Sequence, residues 1–163
     1  MKARIELLQA MPIFGGIADE SLRYLLELCS EVSVAAGEFF FREDEQAQSF
    51  FVLQEGRAAV VKNWDGHLYV LMELAHGDCF GEMSLMDMHR RSASVVAIEA
   101  CRAIELPAAG LLKLYERNLE QFTLIQMNMG REVSRRLRDA DERLFQAKMG
   151  VPDVLAEYVF RST

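Results

Sequence analysis

Residues 80–93 read FGEMSLMDMHRRSA and concentrate the chain's candidate chemistry. A Gly-Glu pair opens a short apolar turn and Arg-Arg-Ser-Ala closes it. The start of a helical turn offers N–H groups without intrahelical partners and a partial positive charge, and both suit an anion. Gly81 lets the backbone come close to a ligand. Arg91 has the planar fork that pairs with phosphate oxygens, and Ser92 adds a hydroxyl donor. A phosphate diester carries one negative charge, so a single arginine can balance it. Glu82 is the odd member, because a carboxylate beside a phosphate is repulsive unless it has another task. It can accept a hydrogen bond from a ribose hydroxyl, as the acidic residue does in dinucleotide folds, or it can pair with an arginine across the loop. On the residues alone two readings stand: a cradle for one phosphate, and a solvated loop holding an ion pair.

No catalytic constellation competes with this stretch. His67, His76 and His89 form no His-x-His pair and fall on separate turns, whereas a metal-dependent barrel enzyme of the cupin type needs clustered ligands. No Ser-His-Asp or Cys-His arrangement suggests itself. The expectation is a protein that is not an enzyme and carries neither metal nor cofactor. A net charge of -7 argues against a broad nucleic-acid surface. With 51% apolar residues the chain can bury a core. Its apolar runs fall well short of the ~20 residues of a membrane span, and the charged N-terminal stretch MKARIELLQAMPIF is not a signal peptide. The odd, scattered cysteines Cys29, Cys79 and Cys101 suit a reducing, cytoplasmic setting.

The elements that must position the loop follow from periodicity. Residues 2–30 read as helical: Leu22, Leu25, Leu26 and Cys29 share a face, after a break at Gly15-Gly16. Residues 31–106 switch to short strands (EVSVAA, EFFFRE, SFFVLQ, AAVVKN, LYVLMEL, SASVVAIE, CRAIEL), with Cys79 and Phe80 as strand residues leading into Gly81. Asp65-Gly66 predicts a tight hairpin. Such spacing predicts a closed barrel or jelly roll. Pro107 fits a first helical position. From about Asn118 to Lys148, Phe122, Met129, Val133, Leu137, Ala140, Leu144 and Ala147 form one apolar seam between charged flanks, the pattern of a dimerising coiled coil or of a helix lying on the barrel. Pro152 ends it, and an apolar tail, VLAEYVF, follows. The expected division is 1–117 for the β-roll with its N-terminal and hinge helices, 118–148 for the long helix, and 149–163 for the tail.

The motifs resemble those of cyclic-nucleotide-binding domains, as found in catabolite-activator-type regulators, kinase regulatory subunits and gated channels. The likeness spans roughly residues 8–145. It is most specific in Gly77-Asp78-Cys79-Phe80-Gly81-Glu82-Met83-Ser84-Leu85 with Arg91-Ser92-Ala93, which resembles the family's phosphate-binding cassette. Pro12-Ile13-Phe14, Gly37-Glu38-Phe39-Phe40 and 51–58, FVLQEGRA, support it. The resemblance implies a mainly β fold: an eight-stranded jelly-roll barrel with N-terminal helices, a short cassette helix and a long C-terminal helix. It also implies roles. Glu82 would take the ribose 2′-hydroxyl and Arg91 the exocyclic phosphate oxygens. Ser92 and the main chain at Gly81, Met83, Ser84 and Ala93 would complete the anion site. Val60 and Leu71 would pack on the purine, where plain core is the competing reading. Asp141 would stand at the base-contacting turn of the long helix, where a carboxylate favours guanine over adenine; the competing reading is a solvated helix residue. Two departures from the pattern are Asp44, at a turn that usually holds Gly, and Met88-His89-Arg90, where Gly or Pro is frequent.

The expected function is a sensor of cyclic AMP or cyclic GMP that acts through ligand-induced movement of the C-terminal helix. It would form a homodimer along that helix, pass its signal to a downstream partner protein, and bind neither membrane nor DNA directly. Two alternatives stand beside it: the ligand-binding part of a catabolite-activator-type transcription regulator, and a non-binding barrel kept as an interaction module.

Overall fold

The computed structural model describes residues 2–149. The expected tail 149–163, its stop at Pro152 and the VLAEYVF segment lie outside the described residues except for Met149. Two units divide between Met129 and Gly130.

The first unit opens with helix α1, Lys2–Gln9, a 3₁₀ turn at Pro12–Phe14 and helix α2, Asp19–Leu28. Asp19 and Glu20 in the first turn of α2 complement the positive end of its dipole. Its Leu22, Leu25 and Leu26 are buried, as the helical spacing predicts. Eight strands follow, with the short helix α3, Met83–Met86, between the sixth and seventh: β1 Ser30–Val34, β2 Phe39–Phe41, β3 Ser49–Glu55, β4 Ala58–Trp64, β5 His67–Leu74, β6 Cys79–Phe80, β7 Ser94–Ala97 and β8 Cys101–Pro107. They form two antiparallel four-stranded sheets, ordered β1-β8-β3-β6 and β2-β7-β4-β5. The jelly roll is therefore two hydrogen-bonded sheets rather than one continuous barrel.

Strands β3 and β8 explain the layout. Phe50, Val52, Ile104 and Leu106 join the core shared with the helices, while Phe51, Leu53, Cys101 and Ala103 join the core inside the roll. Side chains alternate across a strand, so a strand covered on both faces must be apolar almost throughout. The register pairs Phe50 with Leu106 and Val52 with Ile104, which keeps each residue on its proper side. The Asp65-Gly66 hairpin is present: both residues have positive φ (52° and 78°), and Trp64 pairs with His67.

Pro107 ends β8 and precedes helix α4, Ala108–Arg117, one residue earlier than its expected place. Helix α5, Leu119–Met149, starts where Asn118 Oδ1 accepts the Gln121 N–H at 3.1 Å, an N-cap bond. The start of this helix takes the second of the two seam readings, a helix lying on the roll. Ile125 and Met129 are fully buried in the helix-side core, and Phe122 packs against it. Asn128 Nδ2 donates to the carbonyls of Ile13 and Gly15 at 3.1 and 2.9 Å. The first part of the stripe thus closes its own unit. Cys29 stays a thiol at neutral pH: burial pushes its pKa up to about 12, with Arg4 opposing and Glu105 adding.

In the second unit α5 continues with Leu137, Leu144 and Phe145 exposed, at 60%, 54% and 58%. Glu132 is buried and forks with Arg135 and Arg136 at 2.6 and 3.1 Å. Burial opposes its charge, but the two guanidinium groups outweigh that and hold the carboxyl below its usual range. Among the described residues no helix is long and apolar enough to cross a membrane.

Candidate functional site

The Gly77-Asp78 pair sets the cassette in place. Gly77 has φ 86°, and its N–H donates to the Leu53 carbonyl at 2.8 Å. The Leu53 N–H donates to the Asp78 carbonyl at 2.9 Å, and the Asp78 carboxylate accepts the Ala75 N–H at 2.8 Å. This turn delivers β6 against β3 and aims the chain at Gly81. There the backbone turns left-handed, with φ 84°. Helix α3, Met83–Met86, begins two residues later. Its first backbone closures are donated by Leu85 and Met86, both to the Glu82 carbonyl, so the amides of Met83 and Ser84 head the turn without an intrahelical acceptor.

Arg91 is the centre of the arrangement. It is only 4% exposed. Nη1 donates to the Gly81 carbonyl at 2.8 Å and Nη2 to the Ser49 carbonyl at 2.7 Å. The guanidinium lies 4.0 Å over the Phe41 ring, a cation–π contact. Nε is buried with no hydrogen-bond partner. Burial pushes the Arg91 pKa down from its ordinary value, and the fields of Glu45, Glu105 and Glu82 counter this in part. A Cβ placed on Gly81 would stand 2.6 Å from Nη1, so only glycine permits this close approach.

Main-chain bonds lace the far end of the cassette to the turn after β2. The Arg91 N–H donates to the Glu45 carbonyl, and the Asp44 N–H donates to the Arg91 carbonyl, both at 2.9 Å. Asp44 has φ 67°, the left-handed conformation that Asp tolerates. An open groove runs along β2 and shares Phe41 and Glu45 with this site.

The remaining expected residues fall as follows. Glu82 is 0% exposed, and its carboxylate acts electrostatically on Arg91. Ser84 is buried, and its Oγ donates to the Arg90 carbonyl at 3.4 Å. Ala93 is buried, whereas Met83 and Ser92 are exposed. Val60 is partly buried on the roll's inner face, paired with Val95 and Met72. The β4–β5 register slips at Leu71, which is 49% exposed; Met72 takes the inward place beside Val60. A bulge of this kind shifts the alternation by one residue. Asp141 is exposed on α5 in the second unit. Sequence reasoning missed Phe41, Ser49 and Met72. The EFFFRE run marks Phe41 only as apolar, and nothing in a sequence marks a carbonyl such as that of Ser49. The histidines stay apart: His67 and His76 each place a ring nitrogen on a main-chain oxygen, at 2.9 and 2.6 Å. Among the described residues no group of three or more His, Cys, Asp or Glu could hold a metal ion.

Comparison with known proteins supplies the family. The family model described as "Cyclic nucleotide-binding domain" matches residues 31–118. The Cyclic AMP receptor protein of Thermus thermophilus is 30% identical over 138 residues, 84% of this chain and 62% of that protein. The cGMP-dependent protein kinase 2 of Homo sapiens is 29% identical over 104 residues, 60% of this chain and 14% of the kinase. The crystal structure of Thermus thermophilus Catabolite Activator Protein matches with a TM-score of 0.72 at 30% identity, covering 84% of this chain and 63% of that one. The chain therefore spans less than two thirds of the length of these relatives. The family match covers more than half of the chain and includes the cassette, its arginine and both sheets of the roll, and on that ground the chain belongs to the cyclic nucleotide-binding domain family.

Proposed function

We propose that this chain is a regulatory domain that binds a cyclic mononucleotide at the Gly81–Ala93 cassette. One observation carries the reading. A buried guanidinium is held by two main-chain carbonyls on an aromatic face, with its Nε–H left without a partner. A buried charge-bearing donor in that state is stabilised by an incoming anion. In this reading Arg91 meets the exocyclic phosphate oxygens, and the amides of Met83, Ser84 and Ala93 join it. The exposed Ser92 adds its hydroxyl, and Glu82 accepts from the ribose 2′-hydroxyl. The base lies against Val60 and Met72, with Leu71 at the rim of the strand. A single diester charge matches one arginine; a dianion would remain partly uncompensated among Glu45, Glu82 and Glu105.

Relatives named for cyclic AMP and for cyclic GMP both match, so either ligand fits the family. Titration calorimetry with cyclic AMP and cyclic GMP tests the reading: one saturable site per chain is expected for at least one of the two ligands. Heat-silent titrations with both, at ligand concentrations up to millimolar, would refute it.

Output runs through α5 as a population shift, which the ligand can drive only by its differential affinity for two arrangements. The exposed Leu137 and Leu144 suit a homodimer along α5. Sedimentation equilibrium should give a dimer for the wild type and a monomer for the Leu137→Glu/Leu144→Glu variant; a monomeric wild type would remove the dimer from the proposal. Because the chain spans 62% of the Thermus thermophilus relative, a second reading has the same sensor feeding an attached output domain, such as a DNA-binding one.

A further inference from the structure

We infer that Arg90 is a positioning residue of the anion site, acting through the turn after β2 rather than on the ligand. The inference rests on the phosphate reading of the cassette. Arg90 is exposed, yet its Nη1 reaches across to donate to the Asp44 carbonyl at 2.8 Å. Asp44 is the left-handed residue of that turn, with φ 67°. Its N–H donates to the Arg91 carbonyl, and the next carbonyl, Glu45, accepts the Arg91 N–H. A further link joins the same segments, from the Glu43 N–H to Ser94 Oγ at 2.8 Å.

Arg90 therefore closes a ring of contacts around the backbone of Arg91. The left-handed turn at Asp44 is the element most easily lost, since a non-glycine residue holds it. A guanidinium bonded to its carbonyl stabilises that conformation and leaves the Arg91 main chain clamped on both sides. The guanidinium of Arg91 inherits its place from that clamp. Releasing the clamp lets Arg91 sample other orientations, and a ligand must then order it at the expense of affinity.

The test pairs affinity with amide hydrogen exchange, using Arg90→Ala and Arg90→Lys in the full chain. For Arg90→Ala we expect affinity for cyclic AMP or cyclic GMP to fall about fivefold to tenfold, on the scale of one solvent-exposed hydrogen bond. Exchange at the Asp44 and Arg91 amides of the ligand-free protein should quicken by a similar factor, with β3 and β8 unchanged. Arg90→Lys keeps a donor that reaches the carbonyl and should restore both readouts to within about twofold. Unchanged affinity in Arg90→Ala would overturn the inference. So would reduced affinity with unchanged exchange, because Arg90 would then act on the ligand itself, and so would failure of lysine to rescue. The exchange measurement needs no ligand. A wild type that binds no cyclic nucleotide would sink the functional reading, while the clamp would still be judged by its exchange rates.

Discussion

Arg91→Ala is expected to lower affinity for a cyclic mononucleotide by about thirtyfold to several thousandfold, equivalent to ~2–5 kcal/mol. The size follows from burial. The guanidinium is 4% exposed and already desolvated before any ligand arrives, so a phosphate meets it at little further desolvation cost. Alanine removes the charge and the fork together. It also leaves the Gly81 and Ser49 carbonyls without the donors they now accept from, at about 1–3 kcal/mol for each buried group left unsatisfied. Relief of a buried charge offsets part of that loss, so the variant should melt somewhat earlier but still fold. Arg91→Lys restores charge without the planar fork and should recover only part of the affinity. Calorimetry at a temperature where both variants are folded separates these effects. Affinity equal to wild type in Arg91→Ala would remove this residue from the site.

Gly81→Ala is the second large effect, and Gly37→Ala is its control. Both glycines have φ 84°. A Cβ on Gly37 meets nothing within 4 Å, whereas one on Gly81 would stand 2.6 Å from Arg91 Nη1 and 3.3 Å from Phe41 Cε1. Both variants therefore incur the left-handed penalty of ~1–2 kcal/mol. Only Gly81→Ala adds a clash, and the cheapest relief is to push the guanidinium away from its two carbonyls. The two variants should thus lose similar stability, with a modest excess at Gly81. Their affinities should diverge: Gly37→Ala stays close to wild type, and Gly81→Ala falls on the order of tenfold to a hundredfold, as when a charged hydrogen bond is lost. Thermal melts paired with ligand titration check both halves. Equal binding by the two variants would mean that the approach of Arg91 to Gly81 does not matter to the site.

Much of this was legible from residue order because local chemistry dictates it. Asp65-Gly66 required a tight turn and forms one. The cassette residues had to sit together because they are near neighbours in sequence. Leu22, Leu25 and Leu26 had to share a helix face. The failures have a common cause, which is that period reports a face and not what covers it. Phe122 and Met129 continue the same stripe as Leu137 and Leu144, yet the first pair packs within its own unit. Leu71 followed the expected alternation until the bulge in β5 turned Met72 inward instead. Strand spacing left a closed barrel and a jelly roll both open, because it says nothing about which edges bond, and the two four-stranded sheets answer to the jelly roll. The partners of Arg91 were hidden for another reason. The carbonyls of Gly81 and Ser49 belong to the main chain, and any residue could have supplied them.

A crystal structure of the protein grown with saturating cyclic AMP or cyclic GMP tests the central claim most directly. The account predicts an exocyclic phosphate oxygen within hydrogen-bond distance of the Arg91 guanidinium, the amides at the head of α3 turned towards it, and the ribose 2′-hydroxyl on Glu82. A nucleotide bound elsewhere, or a cassette that stays closed on Arg91 with no ligand in it, would contradict the account.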